Sequence, residues 1–120
     1  MSYIEWTSVH APAANTKATV TKAAVSNAIH VVSGFTATFV AGAAAPTAVT
    51  VTVSLLDGAT TIWTGGMSLP ATAGASAVPI IVTGIDLPGT INQNMKLEFS
   101  AAGGANTVEA VTLMGYSIVT

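Results

Sequence analysis

The segment Val49–Leu55 alternates strictly between four apolar and three hydroxyl-bearing residues, and Asp57-Gly58 follows it closely. Because successive side chains of a β-strand point to opposite faces, this pattern gives a strand with one apolar and one hydroxyl face. A one-residue slip would move every apolar side chain into water, so the register is strongly specified. Gly58 supplies the positive φ of a tight hairpin turn, and the returning segment Thr60–Thr64 carries Trp63. The sequence therefore predicts a fold built from β-hairpins.

About eight strands are predicted in the whole chain, separated by loops of small residues. They are Tyr3–His10, Lys17–Val25, Ile29–Ala41, Ala48–Leu55, Thr60–Thr64, Ala77–Gly84, Met95–Ala101 and Val108–Val119. One short helix at Thr21–Asn27 is an alternative that its alanines favour. Regular strand spacing with turn signals predicts an all-β fold, a single antiparallel β-sandwich that is jelly-roll-like.

In the longest predicted strand, Ile29–Ala41, the alternation of side chains assigns each residue to one of two faces. By simple alternation, one apolar face is shared by Ile29, Val31, Phe35 and Phe39. Gly34 marks a bulge or a bend in this strand. His30 then lies opposite the apolar face, which predicts a surface or interface histidine.

Composition limits the classes of partner. The 120 residues suit one domain, and a chain without cysteine has no disulfide or thiolate chemistry. The net charge is −2, and the basic side chains are only Lys17, Lys22 and Lys96, which predicts no nucleic-acid partner and no anionic membrane surface. No stretch approaches the roughly 20 apolar residues of a membrane-spanning helix. The charged fraction is 7%, so the surface is either neutral and polar or largely covered by partners.

Residues able to carry catalysis are sparse. A zinc site would need a third ligand beside His10 and His30, and the five carboxylates are scattered along the chain. No serine lies in a Gly-x-Ser-x-Gly turn, and no glycine-rich phosphate loop is present. We therefore predict no enzyme activity, no metal and no cofactor. A sugar-stacking platform of Trp6, Trp63, Tyr3 and Tyr116 stays open, although packing of Trp63 in a core or an interface is favoured.

Three stretches carry a resemblance to a known family. They are the hairpin "DGATTIWTG" at 57–65, the strand end "LEFSAAG" at 97–103, and "GYSI" at 115–118. From about Ala18 onward the chain resembles the small β-sandwich virion proteins of tailed bacteriophages that decorate or cement the capsid. The resemblance implies a jelly-roll-like fold without catalytic residues, self-association as a homotrimer, and binding to the outer face of the major capsid protein. It places the protein on the virion surface after synthesis in the host cytoplasm.

Two other functions remain open from the sequence. One is a carbohydrate-binding or receptor-binding β-sandwich module, and the other is a tail or fibre subunit of the same kind of virion. A coplanar row of exposed aromatic side chains would favour the first of these alternatives.

The amino-terminal segment departs from the family pattern. Its apolar start is followed by the Pro- and Asn-containing stretch "APAANTK". We predict that residues 1–16 form an extended arm and that residues 17–120 form the β-sandwich domain. The arm is expected to reach a neighbouring subunit or the capsid through an interface of Tyr3, Ile4, Trp6 and His10.

Overall fold

A computed structural model describes residues 2–120, and those residues form eight strands and no helix. The strands are β1 (Ser2–His10), β2 (Thr19–Lys22), β3 (Ala28–Ala41), β4 (Val49–Asp57), β5 (Thr60–Leu69), β6 (Ile80–Pro88), β7 (Met95–Phe99) and β8 (Thr107–Val119). The predicted all-β class is confirmed. The alternative helix at Thr21–Asn27 is wrong, because β2 ends at Lys22 and the chain then turns, with Asn27 at a φ of 60°.

Two antiparallel sheets of four strands pack face to face. The first sheet has the order β1-β8-β3-β6, and the second has the order β2-β7-β4-β5. The antiparallel pairs are therefore nested: β1 pairs with β8, β2 with β7, β3 with β6 and β4 with β5. This is the pairing of one long hairpin that is folded into two sheets. This is the order of a jelly roll, and it confirms the predicted sandwich.

The hydrophobic core fills the space between the sheets. Its largest fully buried apolar side chains are Phe35, Phe39, Phe99, Leu55, Leu69, Met95, Leu97 and Leu113. The rings of Phe39 and Phe99 meet edge to face across the sheets, with centroids 5.9 Å apart. Burial of each such side chain contributes about 1.5–3 kcal/mol, so these contacts hold the two sheets together.

The hairpin of β4 and β5 has the predicted form. Val51, Val53 and Leu55 are buried, and Gly58 begins the turn with a φ of 61°. A positive φ at the first turn position fits the two-residue hairpins that match the twist of the strands. Strand β5 continues beyond the predicted end at Thr64 to Leu69.

A β-bulge between Val32 and Gly34 interrupts β3. The bulge predicted at Gly34 is thus confirmed, and a Cβ there would approach the Val82 carbonyl oxygen to 2.8 Å. The extra residue changes which side chains point inward, so the core receives Val32, Phe35, Ala37 and Phe39. The prediction that Ile29 and Val31 share the face of Phe35 is wrong for this reason.

The predicted arm is not separate from the domain. Residues 2–10 form β1, which pairs with β8 without interruption from Ser2↔Val119 to His10↔Val111. His10 also accepts a hydrogen bond on Nδ1 from the Thr19 N–H at 3.1 Å, which joins the end of β1 to the start of β2. Residues 2–10 thus supply an edge strand of the first sheet, through which the amino-terminal segment packs on its own domain.

Candidate interaction surface

Apolar side chains outnumber polar ones among those that point outward from the first sheet, and threonines at positions 7, 36, 38, 83 and 112 lie between them. Residues paired across neighbouring strands share a face, so the register identifies the set. We call it the outer apolar face; its members are Tyr3, Val9, Ile29, Val31, Val40, Ile81, Val108, Ala110, Met114, Tyr116 and Ile118. Tyr3, Val9 and Ile81 expose 66%, 62% and 66% of their surface. Large apolar side chains gathered on one exposed face mark an interaction surface.

The charges at this face are acidic. Glu5 lies on β1 in the row of Tyr116 and Val31, and the Tyr116 hydroxyl donates to Asp86 Oδ1 at 3.1 Å. This hydrogen bond to Asp86 raises the pKa of Tyr116, which keeps the phenol neutral. The ring of Tyr3 lies beside that of Tyr116, with centroids 5.8 Å apart.

The lysines lie away from the outer apolar face. Lys17 and Lys96 approach Glu98 of β7 at 3.1 and 3.7 Å. Lys22 of β2 lies 5.8 Å from the centroid of the Trp6 ring, at the side where the two sheets meet.

The outer surface of the second sheet has a different chemistry. Hydroxyl groups pair across β4 and β5, with Thr50 Oγ1 and Ser68 Oγ 2.9 Å apart and Ser54 Oγ and Thr64 Oγ1 3.2 Å apart. These neutral hydroxyls hydrogen-bond to one another and to water. The apolar outer face of the first sheet is therefore the candidate docking surface.

Alternation along β1 separates the four residues that were predicted to form one interface. Tyr3 belongs to the outer apolar face, whereas Ile4, Trp6 and His10 point toward the second sheet. Trp6 packs against the core, and Ile4 stays 54% exposed. Strand β2 has only four residues, which leaves the start of β1 without cover on that side.

His30 is buried in the interior, at 1% exposure, and the prediction of a surface histidine is wrong. Its Nε2 lies 2.8 Å from the Ala23 carbonyl oxygen, which can only accept, so Nε2 carries the proton. Nδ1 then accepts from the Ser117 hydroxyl at 2.6 Å, and Ser117 Oγ accepts from Trp6 Nε1–H at 3.0 Å. The bulge in β3 brings His30 inward. Gly34 marks this bulge in the sequence, but simple alternation along the strand does not include the extra residue.

A serine beside a histidine is the arrangement that activates a nucleophile in hydrolases. Here Ser117 is 3% exposed, and the indole of Trp6 donates to its oxygen. Both histidine nitrogens are engaged within the fold. This network links β1, β3 and β8 through buried polar groups, each with a partner.

Glu109 of β8 is the one buried carboxylate among residues 2–120, at 1% exposure. Its Oε1 accepts from the Ala18 N–H at 2.9 Å, whereas Oε2 has no hydrogen-bond partner. Burial raises the pKa of Glu109, and the backbone N–H groups of Ala18 and Gly103 and the charge of Lys17 oppose this rise only in part. An ionised Glu109 therefore destabilises the fold.

The raised pKa of Glu109 predicts that the protein loses stability as the pH rises. The folded state holds this proton more tightly than the unfolded state, so its contribution is full below the unfolded pKa. It declines as the pH rises from there through the folded pKa. Thermal melts between pH 4 and pH 8 should show this decline in the parent protein and lose it in Glu109→Gln. Glu98→Gln, at a partly exposed ion pair, is the control; an unchanged decline in Glu109→Gln would refute the assignment.

The aromatic residues proposed as a sugar platform do not share a surface. Trp63 packs edge to face on Phe35 with centroids 4.8 Å apart, and Trp6 lies against His30. Only Tyr3 and Tyr116 lie on the outer apolar face, and their rings are tilted by 39°. The favoured interpretation of Trp63 as a packing residue is confirmed.

Residues 2–120 contain no group of three or more His, Asp and Glu side chains arranged to hold a metal ion. Within the same residues, no helix is long and apolar enough to cross a membrane. An open depression on the first sheet lies between Glu5 and Met114, beside Gly115.

Comparison with known proteins gives no family. No family model matches the chain, and no curated protein matches its sequence. Among solved structures, the fold is similar to part of dimeric latent PorU from Porphyromonas gingivalis, with a TM-score of 0.48 and 12% sequence identity. The similarity covers 97% of this chain and 13% of the PorU chain. It carries no argument about the function of this protein.

Proposed function

We propose that this protein is a non-enzymatic structural component of a tailed-bacteriophage virion that decorates the capsid and stabilises it by contact. The observation that supports the proposal best is the outer apolar face. The hairpin at 57–65 and two further stretches resemble capsid decoration proteins of tailed bacteriophages, and this resemblance indicates the kind of assembly in which the protein is expected to act.

The physical mechanism is the burial of a neutral surface across several shell subunits. Apolar area removed from water stabilises by about 25 cal/mol per Å², whereas a buried ion incurs a large desolvation penalty. Among residues 2–120, Glu5 and Asp86 are the only carboxylates beside the outer apolar face, so most of it is covered at little electrostatic cost. A decorated shell then requires more free energy to separate its subunits.

Substitution on the outer apolar face tests the docking surface. Ile81→Glu places a charge at a side chain that is 66% exposed, so the isolated fold tolerates it. We expect its affinity for the capsid to fall by about tenfold or more, because the charge loses its water on docking. Co-sedimentation with empty capsids of the phage that encodes the chain measures the loss.

Thr52→Glu is the matched control, since Thr52 is exposed on the outer surface of the second sheet. Equal losses in the two variants would contradict docking through the first sheet. If the parent protein does not bind capsids and electron microscopy shows its density in the tail, decoration is refuted. The protein is then a tail subunit.

A further inference from the structure

The four sheet edges of this sandwich differ in how they are protected. Strand β2 has only four residues, and β5 has a bulge opposite Leu55 and Leu56. Strand β6 is irregular beside the bulge of β3, has Gly84 at a φ of 67°, and ends at Pro88. Short strands, bulges and prolines are the devices that prevent an edge from pairing with another chain.

Strand β1 has none of these devices, and a single charged side chain, Glu5, is its one feature that opposes pairing. It runs for nine residues in unbroken register with β8 and contains no proline, glycine or lysine. Its backbone groups on the side away from β8 face no other strand of residues 2–120. Three of its apolar side chains, Tyr3, Ile4 and Val9, are more than half exposed. A long, regular and apolar edge of this kind is a template for strand addition.

We infer that β1 pairs antiparallel with β1 of a second copy of this chain, about a two-fold axis at Trp6. The first sheets of the two copies then form one continuous eight-stranded sheet. The inference goes beyond the proposed structural role by naming a partner and a contact, and it rests on the geometry of the isolated chain.

The charge on β1 selects this register. With the axis at Trp6 all nine residues overlap, and Glu5 lies opposite Thr7 of the second copy. An axis at Glu5 would place the two carboxylates directly opposite each other, which is unfavourable. The strand carries no other charged side chain, so full overlap and charge separation favour the same register.

The same register covers the exposed apolar side chains. Tyr3 lies opposite Val9 of the second copy on the outer apolar face, and this contact forms twice because of the symmetry. On the other face, Ile4 lies opposite Ser8 and beside Trp6 of the second copy. The pairing thus covers the part of Ile4 that the short β2 leaves open.

The contact is about 30 Å long at 3.4 Å per residue, which places it among small interfaces. We therefore expect a reversible dimer whose population depends on concentration. A two-fold contact joins an even number of copies, unlike the trimer that the family resemblance implies.

Charge substitutions at Thr7 test the register. Thr7 is exposed, and Thr7→Glu would place a second carboxylate opposite Glu5 twice in each dimer. We expect sedimentation equilibrium to show a dissociation constant raised about threefold to tenfold. Thr7→Lys should lower the dissociation constant by a similar factor. The double variant Glu5→Lys with Thr7→Glu should restore the tight association of Thr7→Lys.

Ser68→Glu and Ser68→Lys on the edge strand β5 are the matched controls, with dissociation constants equal to that of the parent. Hydrogen exchange should also slow at backbone amides of β1 as the protein concentration rises. A strict monomer, a trimer, or a dimer that ignores the charges at positions 5 and 7 would overturn the inference. If the inference fails in one of these ways but the protein still binds capsids, the proposed function stands. If the protein forms the dimer but does not bind capsids, only the proposed function is refuted.

Discussion

A chain that lacks residues 1–16 is expected to lose most of its stability, because the deletion removes β1 from the first sheet. Trp6 is partly buried against the core and donates to Ser117, so its loss alone is worth about 3 kcal/mol, the lower end of the range for aromatic core residues. Small domains are stable by only about 5–15 kcal/mol in total. We expect the melting temperature, followed by far-UV circular dichroism, to fall by more than about 10 °C.

Val9→Thr is a suitable control for this deletion. Val9 is exposed and the substitution keeps a β-branched residue in the strand, so the melting temperature should stay within about 2 °C of the parent. A truncated chain that melts with the parent would show that β1 is dispensable to the fold. That result would restore the interpretation of residues 1–16 as an arm.

Gly115→Ala is expected to be the most damaging single-methyl addition on β8. A Cβ at Gly115 would overlap the Val31 carbonyl oxygen and lie 2.8 Å from Cζ2 of Trp6. Neither neighbour moves easily, since one is backbone and the other is a ring packed on the core. We expect a loss of about 3 kcal/mol in the free energy of unfolding, measured by urea denaturation.

Gly66→Ala on β5 is the matched control, because no atom lies within 4 Å of the Cβ that it adds. Its free energy of unfolding should change by less than about 1 kcal/mol, and the change should favour folding. Equal losses in the two variants would show that the overlap with Val31 and Trp6 does not explain the effect at Gly115.

Much of the fold was predictable where the alternation is uninterrupted. Hydroxyl and apolar residues alternate through Val49–Leu55, and the structure buries Val51, Val53 and Leu55 as expected. Leu97 and Phe99 of β7 are also buried, with Lys96 and Glu98 pointing outward. In these strands one face meets the core and the other meets water, so a period of two describes them fully.

Other strand limits depend on tertiary packing. Strand β6 begins at Ile80 rather than Ala77, because Pro79 has no N–H and Val78 lies 87% exposed before the strand. Strand β5 passes through Gly65 and Gly66, where the ring of Trp63 lies over Gly65. The pair of glycines resembles a loop in the sequence, although the space they leave is filled by an aromatic side chain.

The candidate surface was harder to predict than the fold. Both faces of β8 carry apolar residues, so the sequence does not reveal whether Met114 or Leu113 points to the core. The bulge in β3 exchanges the faces on either side of Ser33, which moves His30 inward and Ile29 outward. A single inserted residue thus determines which apolar side chains are left for a partner.

The pairing of Ser2 with Val119 brings the beginning and the end of the described chain to one corner of the sandwich. A short peptide linker can therefore close the backbone into a circle, with new termini opened at an exposed loop such as 71–75. A peptide or a reporter domain attached at either end emerges at the same place. In a two-fold dimer joined through β1, these corners lie at opposite ends of the β1–β1 contact. Two domains attached there would therefore be held apart.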